Sequence, residues 1–305
     1  MLEHNNRQIA KNHAEYITSK ELRKYIANKV KQYAPNAKSA FDGAVGSGQM
    51  CEFLGFDDIL GVEVQQKACE VFMQNFPKAK ALNKSFFNVG NDEVEVKDIT
   101  IMNPPFSLKF GDLSDDEKFN VGFNYSWKKS GVLDDIFILR SLDFCKRFAF
   151  HIAYPGICYR KQEKALRELI GTKLAELNTI ENGFDDTTIP VVVLVIDKEK
   201  TEPCYKSELV DIKTGKTLAS DKFEICGGDT WQTARKEEEK EAIDIDEVNT
   251  KLTEVVNFKL KGHLETSLFG FEICGKPSKD EILNQVKLFK NTINSFETRL
   301  KEIWS

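Results

Sequence analysis

No run of apolar residues in the 305-residue chain approaches the length needed to cross a bilayer, which is about 20. The opening residues, Met1-Leu2-Glu3-His4-Asn5-Asn6, are polar and lack the apolar core of a signal peptide, so the expected location is the cytoplasm, with no membrane contact. Histidine is scarce. His4, His13, His151 and His263 share no ligand-like spacing, and no metal site is expected. The seven cysteines, at 51, 69, 145, 158, 204, 226 and 274, include no Cys-x-x-Cys pair. Their number is odd, so buried free thiols are expected rather than a zinc ribbon or a disulfide framework. An excess of positive charge is also missing: 43 Lys and Arg stand against 48 Asp and Glu, a formal charge of −5. A protein that grips nucleic acid alone usually presents a basic face. This balance leaves room only for a local basic cleft, or for a partner that holds the nucleic acid.

What is present is ordinary globular composition, 41% hydrophobic and 30% charged. The length suits one large domain, or a domain of about 200 residues with a smaller appendage. Residues 19–33 form an amphipathic pattern with Ser19 as N-cap and Leu22, Ile26 and Val30 on the apolar side. Strand-like runs at 38–42, 58–63, 79–83, 98–102, 147–154, 178–182 and 190–196 then alternate with helix-like runs at 48–54, 65–76, 133–145 and 160–171. This alternation predicts an α/β fold, a mostly parallel sheet wrapped by helices, with its chemistry in loops at the strand carboxyl ends. Residues 198–262 mix short β-like pieces with the charged run 235–241, which reads as a solvated or mobile segment. In 279–303, Ile282, Val286, Phe289, Ile293, Phe296, Leu300 and Ile303 recur in steps of four and three, predicting one long helix with a heptad seam.

The first chemical signal is Phe41-Asp42-Gly43-Ala44-Val45-Gly46-Ser47-Gly48, between a predicted strand and a helix. Its glycines allow a tight turn and close approach of a ligand. The Lys-Ser/Thr of a phosphate loop is missing. Glu63 ends the next strand, where a carboxylate can accept both ribose hydroxyls of a nucleoside, or can simply cap the following helix. Asp42 would repel a pyrophosphate but suits the cationic sulfonium and amino group of S-adenosylmethionine.

The second signal is Asn103-Pro104-Pro105-Phe106, at the end of the apolar run 98–102. The prolines fix φ and remove donors, leaving a rigid frame of carbonyl acceptors beside the Asn103 amide oxygen. An aryl amine is a poor nucleophile because its lone pair is delocalised. Two acceptors, from Asn103 and the Pro104 carbonyl, can bind its hydrogens and favour a pyramidal nitrogen, while Phe106 stacks on a base held out of the duplex. No catalytic His or Cys is required.

These residues resemble the amino-methyltransferases, and among them the modification subunits of type I restriction systems and other gamma-class adenine-N6 DNA methyltransferases. Asp42 to Gly48 resembles their first cofactor motif, with Gly43 and Val45 in place of the usual Pro and Cys. Tyr16-Ile17-Thr18-Ser19 is similar to the Tyr/Phe-Thr-Pro that touches the methionine part of the cofactor, and Phe184-Asp185-Asp186-Thr187-Thr188-Ile189-Pro190 to the Phe-x-x-Thr-x-Ile-Pro ahead of the last strand. The resemblance spans 14–198 and implies a Rossmann-like seven-stranded sheet with one antiparallel strand. It implies that S-adenosyl-L-methionine is held by Tyr16, Thr18, Asp42, Gly43, Ala44, Gly46, Gly48, Glu63, Val64, Ser85, Phe86 and Asn103. The catalytic set it implies is Asn103, Pro104, Pro105 and Phe106. Where the family places an acid against the cofactor's adenine amine, this chain reads Leu82-Asn83-Lys84-Ser85-Phe86-Phe87, so Ser85 or backbone groups take that role.

The expected organisation is a catalytic domain over 1–198 and a small α+β region over 199–305, binding DNA or a partner and ending in the helix 279–303. The expected reaction is site-specific methylation of adenine N6 in double-stranded DNA with the target base flipped out. The insert 107–132, with Phe119, Phe123, Tyr125, Trp127, Lys128 and Lys129, suits an extruded base and its strand. The helix 279–303 either packs on its own domain or offers its seam to a second chain, in which case a homodimer or a specificity subunit docks through the C-terminal region. The competing readings are an RNA-base or protein-glutamine methyltransferase with the same tetrapeptide, and a methyltransferase-like scaffold subunit.

Overall fold

The computed structural model describes residues 2, 18–106, 108–184, 189–227, 230–236 and 245–304. They divide into two compact units, one reaching Glu237 and one from Glu238 onward. In the first unit, helix α1 (Lys20–Tyr33) begins where the Ser19 hydroxyl accepts the Leu22 N–H at 3.3 Å. Its apolar positions Leu22, Ile26, Ala27 and Val30 are buried, as the periodicity requires.

Among the described residues nine strands form one sheet: β1 (Ser39–Asp42), β2 (Asp58–Glu63), β3 (Lys80–Asn83), β4 (Lys97–Met102), β5 (Cys145–Ala153), β6 (Leu174–Glu181), β7 (Val191–Asp197), β8 (Cys204–Asp211) and β9 (Lys216–Glu224). Their order is β3-β2-β1-β4-β5-β7-β6-β8-β9. Strands β1 to β5 pair in parallel. β7 runs antiparallel between β5 and β6, and all of its residues are buried. From β1 the chain first moves outward through β2 to β3, then returns to β4 on the other side of β1. Such a reversal opens a crevice at the strand carboxyl ends.

The structure corrects the expected seven strands and single antiparallel member. β8 pairs parallel with β6, and β9 returns antiparallel to it, so the sheet has nine strands and two antiparallel ones. Without β8, the edge of β6 would present unpaired backbone groups. β8 buries Tyr205, Ser207, Leu209 and Val210, while β9 closes the sheet with an exposed, charged edge that includes Lys216, Asp221, Lys222 and Glu224. The Tyr205 hydroxyl donates to the Gln232 carbonyl at 2.9 Å, and the Trp231 N–H donates to the Cys158 carbonyl at 2.8 Å. The boundary expected at 198 therefore falls inside the first unit.

Further helices flank the sheet: α2 (Gln66–Asn75), α3 (Asp115–Asn124), α4 (Asp134–Ser141) and α5 (Lys164–Ile170). The helix expected at 48–54 is only a 3-10 turn, Gln49–Cys51. Cys51, Cys69, Cys145 and Cys158 are buried free thiols, and Cys226 is exposed.

The second unit holds α6 (Ile245–Cys274) and α7 (Lys279–Trp304), the latter starting on a Ser278–Glu281 capping box. The expectation of short β-like pieces over 198–262 is met by β8 and β9, but from Ile245 to Cys274 the chain is helical. Thr250, Thr253, Val255 and Val256 mimic a strand in composition, yet the less exposed positions Leu252, Val256 and Leu260 recur every four residues. On α7, the ring of Phe289 meets His263 of α6 at 6.3 Å, whereas Ile282 and Val286 remain about half exposed. No described helix is long and apolar enough to cross a membrane.

Candidate active site

β1 carries Asp42 to the carboxyl end of the sheet and turns into the glycine loop. The Asp42 carboxyl is fully buried: Oδ1 accepts the Ala44 N–H at 3.0 Å, and Oδ2 has no hydrogen-bond partner among the described residues. Burial raises its pKa to about 7, opposed by the Ala44 bond and assisted by the nearby Glu63 charge. Gly46 and Gly48 adopt left-handed φ of 52° and 87°, which only glycine takes without strain. A Cβ on Gly48 would stand 2.6 Å from the rings of Phe72 and Phe76, and one on Gly43 would stand 2.7 Å from Phe86. The loop is thus wedged against the core and cannot carry side chains at these points.

β2 delivers Glu63 beside that loop. Its Oε2 accepts the Gly46 N–H at 3.1 Å and its Oε1 accepts the Gln65 N–H at 2.9 Å. One carboxylate therefore braces the glycine loop and also engages the backbone just ahead of α2, close to the helix-capping role that its sequence position offered as the alternative to ribose binding. The Asn83 side chain, at the end of β3, donates to the Glu63 and Val64 carbonyls.

β4 ends in Asn103-Pro104-Pro105-Phe106. The Asn103 side-chain nitrogen donates to the Thr18 hydroxyl at 3.1 Å, and its amide oxygen is buried with no hydrogen-bond partner among the described residues. A buried carbonyl oxygen without a donor is uncommon, because desolvating it has a cost that nothing repays. Phe106 packs edge-on against Phe184, with ring centroids 6.0 Å apart. Thr18 forms an antiparallel bridge with Phe184, and the Ser19 N–H donates to the Gly183 carbonyl at 3.1 Å. Three separated stretches of sequence meet at one place.

They enclose a cavity of about 510 Å3. Of the expected residues, Thr18, Gly43, Ala44, Gly46, Glu63, Val64, Ser85, Phe86, Asn103, Pro104, Pro105 and Phe106 line it. Asp42 lies beneath the loop and Gly48 shapes the turn, and neither lines the cavity. Tyr16 and residues 185–188 lie outside the described residues. Lining residues that sequence reasoning missed include Gln49, Leu108, Leu113, Glu117 and Phe137. Glu117 had a readable signal: Ser114-Asp115-Asp116-Glu117 is a capping box, and it opens α3. Among the described residues no group of three or more His, Cys, Asp or Glu is arranged to hold a metal.

The family model of N-6 DNA methylases matches residues 1–244. Among solved structures, the type I restriction-modification methyltransferase subunit from Streptococcus thermophilus superposes with a TM-score of 0.55 at 18% identity, covering 64% of this chain and 47% of that one. A modification subunit attributed to a type I restriction enzyme of Vibrio vulnificus YJ016 gives 0.54 at 16% identity, over 69% and 50%. A chain from a type I R-M system, solved in a study of complex assembly and conformational transition, gives 0.58 at 12%, over 84% and 67%. The matched region spans about half the length of the first two structures. At such identities the likeness carries the fold, a mixed α/β methyltransferase architecture. The comparison with curated proteins returned no match.

Proposed function

The chain belongs to the N-6 DNA methylase family, and from that premise we propose that it transfers a methyl group from S-adenosyl-L-methionine to the N6 amino group of adenine in DNA. The observation that carries this reading is the Asn103 amide oxygen, a buried acceptor with no donor among the described residues, in the same cavity as the Glu63 carboxylate. The cavity volume, about 510 Å3, lies in the range of small-molecule sites.

The residues present fit the cofactor. Glu63 offers a half-buried carboxylate to the ribose hydroxyls, the Gly43–Gly46 backbone permits close approach of the methionine end, and Val64 and Phe86 offer apolar walls to the purine. When bound, S-adenosylmethionine supplies an electrophilic methyl group on a cationic sulfur. Asn103 Oδ1 and the Pro104 carbonyl accept the two hydrogens of the target amine and draw its lone pair out of the ring. Thr18 holds the Asn103 amide in that orientation through its 3.1 Å bond. Phe106, braced by Phe184, stacks on the flipped base. No residue of the chain would need to act as an acid toward the leaving group, and the proton lost from the methylated nitrogen would pass to solvent.

Double-stranded DNA in the cytoplasm is the substrate this reading implies. The acidic chain leaves sequence recognition to an assembly, with the α6–α7 unit docking a second copy or a specificity subunit. The test is incubation of the purified chain, alone and with candidate partners, with unmodified DNA and radiolabelled cofactor, followed by nucleoside analysis. Label recovered as N6-methyl-2′-deoxyadenosine supports the reading; no label in DNA adenine, with label only in RNA guanine or in protein glutamine when these substrates are offered in parallel, overturns it.

A further inference from the structure

A purine held in this cavity buries an exocyclic amine, whose two hydrogens need an acceptor. The end of β3 supplies no carboxylate for it. Lys84, the residue following β3, is a cation, and its Nζ is committed to Glu93 at 2.7 and 3.0 Å. Ser85 comes next, and its hydroxyl donates to Glu117 Oε1. The carboxylate therefore reaches this wall from a different part of the chain, the insert between β4 and α4.

Glu117 is built for that position. It is the third residue of α3, and the capping box fixes it: Oε2 accepts the Ser114 N–H at 2.7 Å while the Glu117 N–H donates to Ser114. Burial opposes ionisation, but the Ser85 and Ser114 bonds outweigh it and hold the carboxyl below its ordinary range. The side chain is half-buried and lines the cavity, with Leu113 and Phe137 as apolar neighbours along the same wall. An ionised carboxylate offers about four acceptor positions, and these two bonds leave about two open. Asp112 also lines the cavity, but it is exposed, and its carboxylate accepts the Lys109 N–H.

We propose that Glu117 reads the adenine amine of the cofactor, so that the insert helix α3, rather than β3, completes the cofactor site. This rests on reading the cavity as the S-adenosylmethionine site. It gives the insert a role on the cofactor side and couples cofactor binding to the order of α3.

The test is calorimetric titration of the full chain with S-adenosylhomocysteine and with S-inosylhomocysteine, in which a carbonyl oxygen replaces the amine. The wild type should prefer the adenosyl compound by at least tenfold, on the order of one decade in Kd or more. Glu117→Gln preserves the capping box, since glutamine serves there as well. Its amide can donate to the inosine carbonyl, so the preference should collapse to within about threefold. Lys84→Ala and Asp112→Asn should keep the wild-type preference. If Glu117→Gln keeps it too, or if the wild type binds both compounds alike, the assignment of Glu117 falls while the cofactor reading stands. If the wild type binds neither, the cofactor reading fails and takes this inference with it.

Discussion

Asn103 gives its amide nitrogen to the Thr18 hydroxyl at 3.1 Å and turns its amide oxygen into the cavity wall, where no described residue donates to it. The two residues come from opposite sides of the glycine loop in sequence, and their bond sets which end of the amide is presented. Asn103→Ala should retain cofactor affinity within about threefold and lose methyl transfer by about 100-fold or more, because it removes an acceptor used as the amine attacks. Thr18→Val should lower kcat by a smaller factor, on the order of tenfold, by releasing the amide orientation. Single-turnover rates with saturating cofactor check both. Activity of Asn103→Ala within about tenfold of wild type would remove Asn103 from the mechanism.

Glu63 accepts from both Gly46 and Gln65 and faces the cavity between them. Glu63→Ala should weaken the cofactor by about 1.5–3 kcal/mol, the range for hydrogen bonds to a charged acceptor. Calorimetry measures it. An unchanged dissociation constant would leave Glu63 as a cap and loop brace only.

Gly48 and Gly55 share a left-handed backbone but differ in their surroundings. A Cβ on Gly48 would press on Phe72 and Phe76 at 2.6 Å, whereas one on Gly55 would meet nothing within 4 Å. Both alanine variants carry the φ strain, about 1 kcal/mol. Gly48→Ala should lose about 1–3 kcal/mol more, from overpacking against two rings. Urea denaturation of the pair isolates that difference, and equal losses would show that the loop moves freely off α2.

Asp134 is fully buried, and neither of its oxygens has a hydrogen-bond partner among the described residues. Burial raises its pKa from 3.8 to about 7; Arg160 and Lys128 oppose the shift, and Asp135 and Glu163 add to it. A carboxyl with a raised folded pKa holds a proton that the unfolded chain has already lost. Its contribution to stability is therefore present at low pH and is lost as pH rises from about 4 through about 7. Measured by denaturation, Asp134→Asn should gain on the wild type by on the order of 2–3 kcal/mol between about pH 5 and about pH 8. A difference independent of pH would mean that the carboxyl is ionised throughout.

On α7, Ile282, Val286 and Ile293 keep 48%, 49% and 36% of their surface exposed, although Phe289 packs on His263. If this face docks a second copy or a specificity subunit, Val286→Lys with Ile293→Lys should reduce the mass seen by light scattering. DNA methylation by the assembly should fall with it, while cofactor affinity is unchanged. A wild-type monomer that methylates specific sites unaided would dismiss the docking role.

The strands of the parallel half were legible because each is a short apolar run ending in a polar residue that the loop then uses. β2 ending at Glu63 and β4 ending before Asn103 are the clearest cases. The insert was not. Its helix is short and weakly amphipathic, with Val121 buried and Phe119 and Phe123 exposed, so periodicity says little and only the capping box marks it. The hairpin β8–β9 was assigned to a separate region because edge strands carry many polar residues and resemble surface structure.

By itself, the sequence determined the chemistry available at this site. An asparagine in a proline frame, a strand-end glutamate and a glycine turn are local features, fixed by residue type and by spacing of a few positions. Tertiary structure alone decided which distant groups complete them. It set Thr18 on Asn103, Phe184 on Phe106 and Glu117 on Ser85, and it buried Asp42, expected to meet the methionine end of the cofactor, beneath the glycine loop. The physical reason is that strand order and helix packing bring such groups together, and these depend on the whole sheet closing its edges and burying its faces. No window of sequence contains that information.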